Sequence, residues 1–156
     1  MHGEAEVIEV LNDVLTAELT AVNQYFIHAK MCHNWHYKRL AEHSKHESID
    51  EMKHADEVIE RILYLDGAPN MQRYFKINVG QTVTEMHQFD LEVERTAVAR
   101  LNKGLEVCRT KGDNGSRLLL ERILREEEDH VDWLEGQLKQ IEDVGLPNYL
   151  AEQIKD

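Results

Sequence analysis

The chain contains two Glu-x-x-His pairs, Glu51/His54 and Glu127/His130. Residues three apart on a helix lie on one face, one turn apart, so the carboxylate and the imidazole of each pair can grip a single metal ion. One such pair alone is weak support for a metal site. Two pairs become informative only if the rest of the sequence repeats with them.

The positions of two further glutamates supply that repeat. Glu18 precedes Glu51 by 33 residues, and Glu94 precedes Glu127 by the same 33. A shift of 76 residues therefore superimposes the first glutamate, the second glutamate and the histidine of each half. Two helical hairpins related by a pseudo-two-fold axis would bring all six side chains together. The predicted metal ligands are Glu18, Glu51, His54, Glu94, Glu127 and His130.

The chemistry of this set restricts the ion. Carboxylates with two imidazoles and no thiolate suit iron or manganese better than copper(I) or structural zinc. Six ligands arranged as two equivalent halves fit two ions. We expect Glu51 and Glu127 to bridge the ions and Glu18 and Glu94 to bind one ion each.

Helical periodicity places these residues on four helices. Apolar residues recur at spacings of three and four, which is typical of amphipathic helices, and the segments around Pro69 and Pro147 break them. Residues 112–116 are predicted to form a tight turn. The predicted helices cover residues 5–35, 37–65, 82–111 and 116–144, followed by a short fifth helix from Pro147 to Ile154.

The lengths of the connections indicate the topology. The first two helices and the last two long helices are joined by short turns, so each pair is expected to form an antiparallel hairpin. The connection over residues 66–81 is long enough to run along the bundle and join parallel neighbours. An all-α four-helix bundle with one long crossover is the ferritin-like arrangement, although the lengths alone also permit an up-down bundle. We expect residues 1–156 to form one domain.

Each predicted inward-facing stripe is interrupted by acid near its middle. Burying one carboxylate costs several kcal/mol unless a positive group compensates it. Protonation could neutralise the acids, and Lys or Arg could pair with them, but no Lys or Arg occurs on the stripes at those levels. We therefore expect metal cations to neutralise the acids. The alternative is a purely structural bundle whose glutamates face water, which would leave the 76-residue repeat unexplained.

Composition excludes other classes of function. Hydrophobic residues make up 42% of the chain, charged residues 31%, and the net charge is −12, which argues against nucleic-acid binding. No apolar run approaches the ~20 residues that span a bilayer, so no membrane association is expected. The first residues resemble no export signal, and Cys32 and Cys108 lack metal-type spacing. A cytoplasmic protein with reduced thiols is expected.

Four stretches of the sequence carry a family resemblance: residues 23–26, 46–56, 128–135 and 148–150. With the repeated ligand motif, they make nearly the whole chain similar to bacterioferritin. The resemblance implies an iron-storage ferroxidase that oxidises Fe(II) with oxygen or peroxide at a di-iron centre. It also implies a homo-oligomeric shell of 24 subunits built from two-fold dimers, which holds Fe(III) mineral, and a small ferredoxin that supplies electrons for iron release.

Met52 carries the second cofactor that the resemblance implies. In this family, a methionine at this place in the motif binds haem b together with its copy across the two-fold interface. Considered by itself, Met52 could equally be an apolar interface contact. The ligand set alone also permits another function, a di-iron or di-manganese redox enzyme that acts on peroxide without storing iron. Assembly into a closed shell separates the two hypotheses.

Overall fold

The structure is a computed structural model that describes residues 1–156 and contains five α-helices and no β-strand. The predicted all-α fold is therefore confirmed, and every predicted helix is present with ends within two residues of those expected. No helix combines the length and the apolar composition needed to cross a membrane. The helices are α1 (Ala5–Asn34), α2 (Lys38–Tyr64), α3 (Val83–Thr110), α4 (Asn114–Val144) and α5 (Leu146–Gln153).

The start of α4 differs from the prediction. The stretch expected to be a turn as far as residue 116 is helical from Asn114 onward. The reason is the carboxylate of Asp113, which accepts a hydrogen bond from the backbone N–H of Ser116 at 3.0 Å and so caps the helix. Only Gly112, with a φ of 70°, adopts the left-handed conformation that the turn requires.

Contacts between helix ends fix the direction of each helix. Gly3 donates a backbone hydrogen bond to the carbonyl of Leu65, so α1 begins beside the end of α2. The sulfur atoms of Cys32 and Met86 lie 3.7 Å apart, so α3 begins beside the end of α1. Helices α2 and α3 therefore run parallel and are joined by a long crossover, residues 65–82, as predicted. The up-down alternative is wrong for this chain.

Five polar residues at every fourth position of α1 hold this crossover. We call them the polar ladder. Each accepts a hydrogen bond from the crossover, with donor–acceptor distances from 2.8 to 3.1 Å. Four of the five donors are backbone N–H groups, so the crossover follows α1 in a fixed register. The pairs are Asn12 with Asn70, Thr16 with the Arg73 side chain, Thr20 with Phe75, Gln24 with Asn78, and His28 with Gly80.

The apolar core is concentrated at one end of the bundle. Fourteen buried residues form one cluster there, thirteen from the four long helices and Leu65 from the start of the crossover. They include Leu11, Ile62, Leu101 and Leu120. A smaller cluster at the other end contains Tyr149 of α5. Both cysteines are free and buried. The predicted metal ligands lie on the stretches of helix between these two clusters.

Candidate metal centre

The structure brings all six predicted ligands together in the middle of the bundle. Two of them come from α2, two from α4 and one each from α1 and α3, as the hairpin repeat predicted. Five are buried, and His130 is slightly exposed. They form two overlapping groups whose ligand atoms lie within 4.8 Å of one another: Glu18, Glu51, His54 and Glu127, and Glu51, Glu94, Glu127 and His130.

The distances from the two imidazoles show how the carboxylates are shared. His54 Nδ1 lies 3.7 Å from Glu51 Oε2 and 3.0 Å from Glu127 Oε1. His130 Nδ1 lies 3.2 Å from the other oxygen of Glu51 and 3.4 Å from the other oxygen of Glu127. Each of these two carboxylates thus presents one oxygen to each half of the centre, which is the arrangement of a bridging ligand.

The remaining two glutamates each serve one half. Glu18 Oε2 lies 3.4 Å from His54 Nδ1, and Glu94 Oε1 lies 3.5 Å from His130 Nδ1. Neither lies within ion-pair distance of the other imidazole. The geometry is therefore the one expected for two bridging and two terminal carboxylates.

Unsatisfied polar atoms indicate that a cation fits here. Eight buried side-chain oxygen and nitrogen atoms in the chain have no hydrogen-bond partner, and seven of them belong to the six predicted ligands. The eighth belongs to Glu47, which contacts His130. Buried polar atoms in native proteins are nearly always paired. A concentration of unpaired oxygens and imidazole nitrogens facing one another matches the donor set of a metal site.

The electrostatics of the site also favour a cation. Burial raises the pKa of Glu18, Glu51 and Glu94, and neighbouring carboxylates raise it further. Burial alone would lower the pKa of both imidazoles, but close contact with the surrounding carboxylates raises it above the ordinary 6.5. Without a metal, the centre therefore retains protons that offset the clustered negative charge. Bound metal ions would replace those protons.

Two carboxylates that the sequence did not single out as functional orient the imidazoles. Glu126 is hydrogen-bonded to Nε2 of His54, and Glu47 contacts Nε2 of His130. A carboxylate only accepts hydrogen bonds, so Nε2 of His54 carries a proton. The contact with Glu47 favours the same form for His130. Each Nδ1 can then offer its lone pair to an ion, which is the usual carboxylate–histidine–metal arrangement. Glu47 lies on a predicted inward stripe, whereas nothing in the spacing of Glu126 distinguished it from its exposed neighbours.

Tyr25 is a further contact of the site. Its hydroxyl donates a hydrogen bond to Glu94 Oε1. Burial and the nearby carboxylates raise the pKa of Tyr25, so the hydroxyl remains a donor. This hydrogen bond gives Glu94 a partner on α1, in addition to the nearby imidazole of His130 on α4.

Met52 lies outside the centre. Its side chain is 50% exposed, and Ile49, one turn earlier on the same face of α2, is 44% exposed. Adjacent exposed apolar side chains are typical of an interaction surface. The position is compatible with the predicted role of Met52 between two subunits, which stays a prediction.

Comparison with known proteins identifies the family. A family model described as a ferritin-like domain matches residues 8–144. A bacterioferritin of Streptomyces coelicolor is 52% identical over 155 residues, which cover 99% of this chain and 93% of the relative. The chain belongs to the bacterioferritin family. Another bacterioferritin, from Mycobacterium tuberculosis, is 47% identical over 152 residues, covering 97% of this chain and 96% of its own length.

The family assignment covers the whole metal centre. A more distant bacterioferritin, from Brucella melitensis, is 43% identical over 149 residues, with 96% of this chain and 92% of the relative covered. All six predicted ligands lie within the segment that the ferritin-like family model matches. The resemblance found in the sequence is thus confirmed.

Proposed function

We propose that this chain stores iron and detoxifies Fe(II) by oxidising it to Fe(III) at a di-iron centre formed by the six ligands. The observation that carries the proposal is the shared geometry of Glu51 and Glu127, each of which faces both imidazoles. Membership of the bacterioferritin family supports storage as the purpose of the chemistry. Two bound Fe(II) ions supply the two electrons that reduce one peroxide, or half of those that reduce dioxygen to water.

The protein's own residues bind and orient the substrate ions. Glu126 and Glu47 hold the two imidazoles with Nδ1 directed at the ion positions. Tyr25 holds Glu94 against the second position. Contacts that fix the ligands in this way keep small the reorganisation needed when Fe(II) binds and its charge increases.

We further propose that the chains assemble as two-fold dimers and then as a shell of 24 subunits with mineral inside. Two copies of Met52 would hold one haem b across the dimer interface, where Ile49 adds apolar surface. A small ferredoxin would deliver the electrons for iron release. The excess of acidic residues, with a net charge of −12, would attract cations to the assembly.

Iron loading followed by size-exclusion chromatography tests storage. The protein is incubated in air with excess Fe(II), and protein, iron and haem absorbance are recorded together. Iron that co-elutes with a particle of many subunits, far above two ions per chain, is the expected result. A small oligomer with about two ions per chain would instead favour a redox enzyme that acts on peroxide.

A double substitution tests the centre itself. Glu127→Ala with His130→Ala removes one shared carboxylate and one imidazole, so rapid Fe(II) oxidation should be lost while assembly is retained. The matched control is Glu128→Ala with Asp132→Ala, which removes exposed acids from the same helix. Unchanged oxidation in the first variant would rule out this centre.

The haem proposal has a separate test. Met52→Leu should abolish the haem absorption band and leave Fe(II) oxidation largely intact, because Met52 does not touch the centre. Haem that remains bound in this variant would require a different ligand.

A further inference from the structure

The six predicted ligands follow the 76-residue repeat, but the residues that surround them do not. The 76-residue shift that superimposes the ligands does not superimpose the residues that border them. Each polar border residue corresponds, under this shift, to a residue of another type. The half that contains Glu94 and His130 is bordered by polar side chains, whereas the half that contains Glu18 and His54 has apolar or differently charged ones at the same places. The pairs are Gln24 with Arg100, Tyr25 with Leu101, His28 with Gly104, and Asp90 with Val14.

Three of these polar residues, Gln24, His28 and Asp90, form one buried network centred on Asp90. Asp90 Oδ1 accepts a hydrogen bond from Gln24 Nε2 at 2.8 Å and lies 3.0 Å from His28 Nδ1. All three side chains are buried. The network sits one helical turn from Glu94 on α3, and one residue from Tyr25 on α1.

The hydrogen bonds determine the form of His28. The backbone N–H of Gly80 donates to Nε2 of His28 at 3.0 Å, so this nitrogen is an acceptor. Nδ1 therefore carries the proton and donates it to Asp90. His28 thus connects the last rung of the polar ladder to the carboxylate on α3. Gln24 does the same one turn earlier, because its Oε1 accepts from Asn78.

We propose that Gln24, His28 and Asp90 are positioning residues for the Glu94–His130 half of the centre. The network fixes α1 against α3 at the level of Tyr25, and Tyr25 in turn fixes Glu94. This role rests on the proposed metal centre. It implies in addition that the two halves of the centre bind a metal ion with different affinities. Loss of the network weakens metal binding in one half and leaves the other unchanged.

Single-site backgrounds separate the halves. His54→Ala removes the imidazole of the Glu18 half, and His130→Ala removes that of the Glu94 half. Co(II) binding is followed by its visible absorption and by calorimetry in each background. Adding Asp90→Ala should weaken Co(II) about tenfold in the His54→Ala background, the lower end of the effect of removing an outer-shell partner. Asp90→Ala should leave the Co(II) affinity unchanged in the His130→Ala background.

Two further variants distinguish positioning from general loosening. Asp90→Asn retains Oδ1 as the acceptor for both donors and should restore Co(II) affinity. Asn12→Ala removes two hydrogen bonds to the same crossover, to Ala68 and Asn70, but lies far from the centre. Asn12→Ala should leave the Co(II) affinity unchanged in both backgrounds. If Asp90→Ala does not assemble, Gln24→Met removes one donor at nearly constant volume and should have the same one-sided effect.

Each outcome decides the proposal. An equal loss of affinity in both backgrounds would show that the network only supports the fold, and no loss in either would show that it is irrelevant to the centre. If the unmodified chain binds no Co(II) at the six ligands, the metal centre itself is wrong and the positioning role falls with it.

Discussion

Two neighbouring layers of the bundle are built from opposite kinds of side chain. The apolar layer consists of the fourteen-residue cluster around Leu11, Ile62, Leu101 and Leu120. The acidic layer, which begins within one helical turn of this cluster, holds the six predicted ligands and Glu47, and eight of its buried polar atoms have no hydrogen-bond partner. The same four helices pass through both layers.

The apolar layer stabilises the fold, whereas the acidic layer is the proposed place of the chemistry. Each fully buried Leu or Ile contributes about 1.5–3 kcal/mol by leaving water. Each buried carboxylate opposes folding until a cation binds. The apolar layer therefore offsets the free energy that the acidic layer costs, as is common where function requires a destabilised site.

The largest expected effect is on the stability of the apolar layer. Leu11→Ala leaves a cavity at a fully buried position and should lower the free energy of unfolding by about 2–5 kcal/mol. Metal binding should be unchanged, because Leu11 contacts no ligand. Denaturant unfolding at a fixed protomer concentration measures the first effect and Co(II) titration the second. Loss of Co(II) sites in this variant would contradict the separation of the two layers.

An intermediate effect of opposite sign is expected in the acidic layer. Glu94→Gln removes a buried charge and should stabilise the metal-free protein by roughly 1–3 kcal/mol while weakening metal binding. The pKa of Glu94 is raised above its ordinary 4.5 by burial and by the charge of Glu127. The destabilisation by Glu94 is therefore absent below pH 4.5, grows as the pH rises from 4.5 toward the raised value, and is constant above it.

The advantage of the Gln variant should accordingly grow with pH. Thermal unfolding of both proteins in chelator, at several pH values, measures it. A Gln variant that is less stable than the unmodified chain at every pH would mean that the buried carboxylate of Glu94 does not destabilise the fold.

A smaller effect is expected from a buried polar group outside both layers. Burial lowers the pKa of His87 from 6.5 to about 3, so His87 is neutral in the fold, where its Nε2 lies 2.9 Å from the Tyr149 hydroxyl. Stability from this residue is complete above pH 6.5 and is lost as the pH falls toward 3. At pH 5 the loss should reach at most about 2 kcal/mol.

His87→Phe should remove this acid sensitivity. The measured quantity is the change in unfolding free energy between pH 7.5 and pH 5 within each protein, which cancels any constant effect of the substitution. An equal acid-induced change in both proteins would show that His87 becomes protonated without unfolding.

Much of the fold, and the clustering of the six candidate ligands, could be predicted from the sequence because both leave periodic signals. Helical spacing identified the helices, and the 76-residue repeat brought Glu18 and Glu94 into the prediction together with the two Glu-x-x-His pairs. The start of α4 was misplaced because Gly115 and Asn114 are typical of turns, whereas the cap at Asp113 decides the boundary.

The residues that sequence reasoning missed act through single three-dimensional contacts. Glu126 orients an imidazole on another helix, and such a contact leaves no spacing pattern. The network of Gln24, His28 and Asp90 joins α1, α3 and the crossover, so it depends on how those elements pack. The polar ladder did leave a signal, a polar residue at every fourth position of α1, but its partners lie in a segment without periodicity.

The polar ladder also sets the length of the crossover. Its rungs are fixed on a rigid helix, and the crossover meets them at successive residues from Asn70 to Gly80. One residue added or removed between these points would displace every later N–H from its acceptor. Buried polar side chains of α1 would then lose their hydrogen-bond partners. Engineered insertions, such as peptide tags, should therefore be rejected between residues 70 and 80 of the crossover.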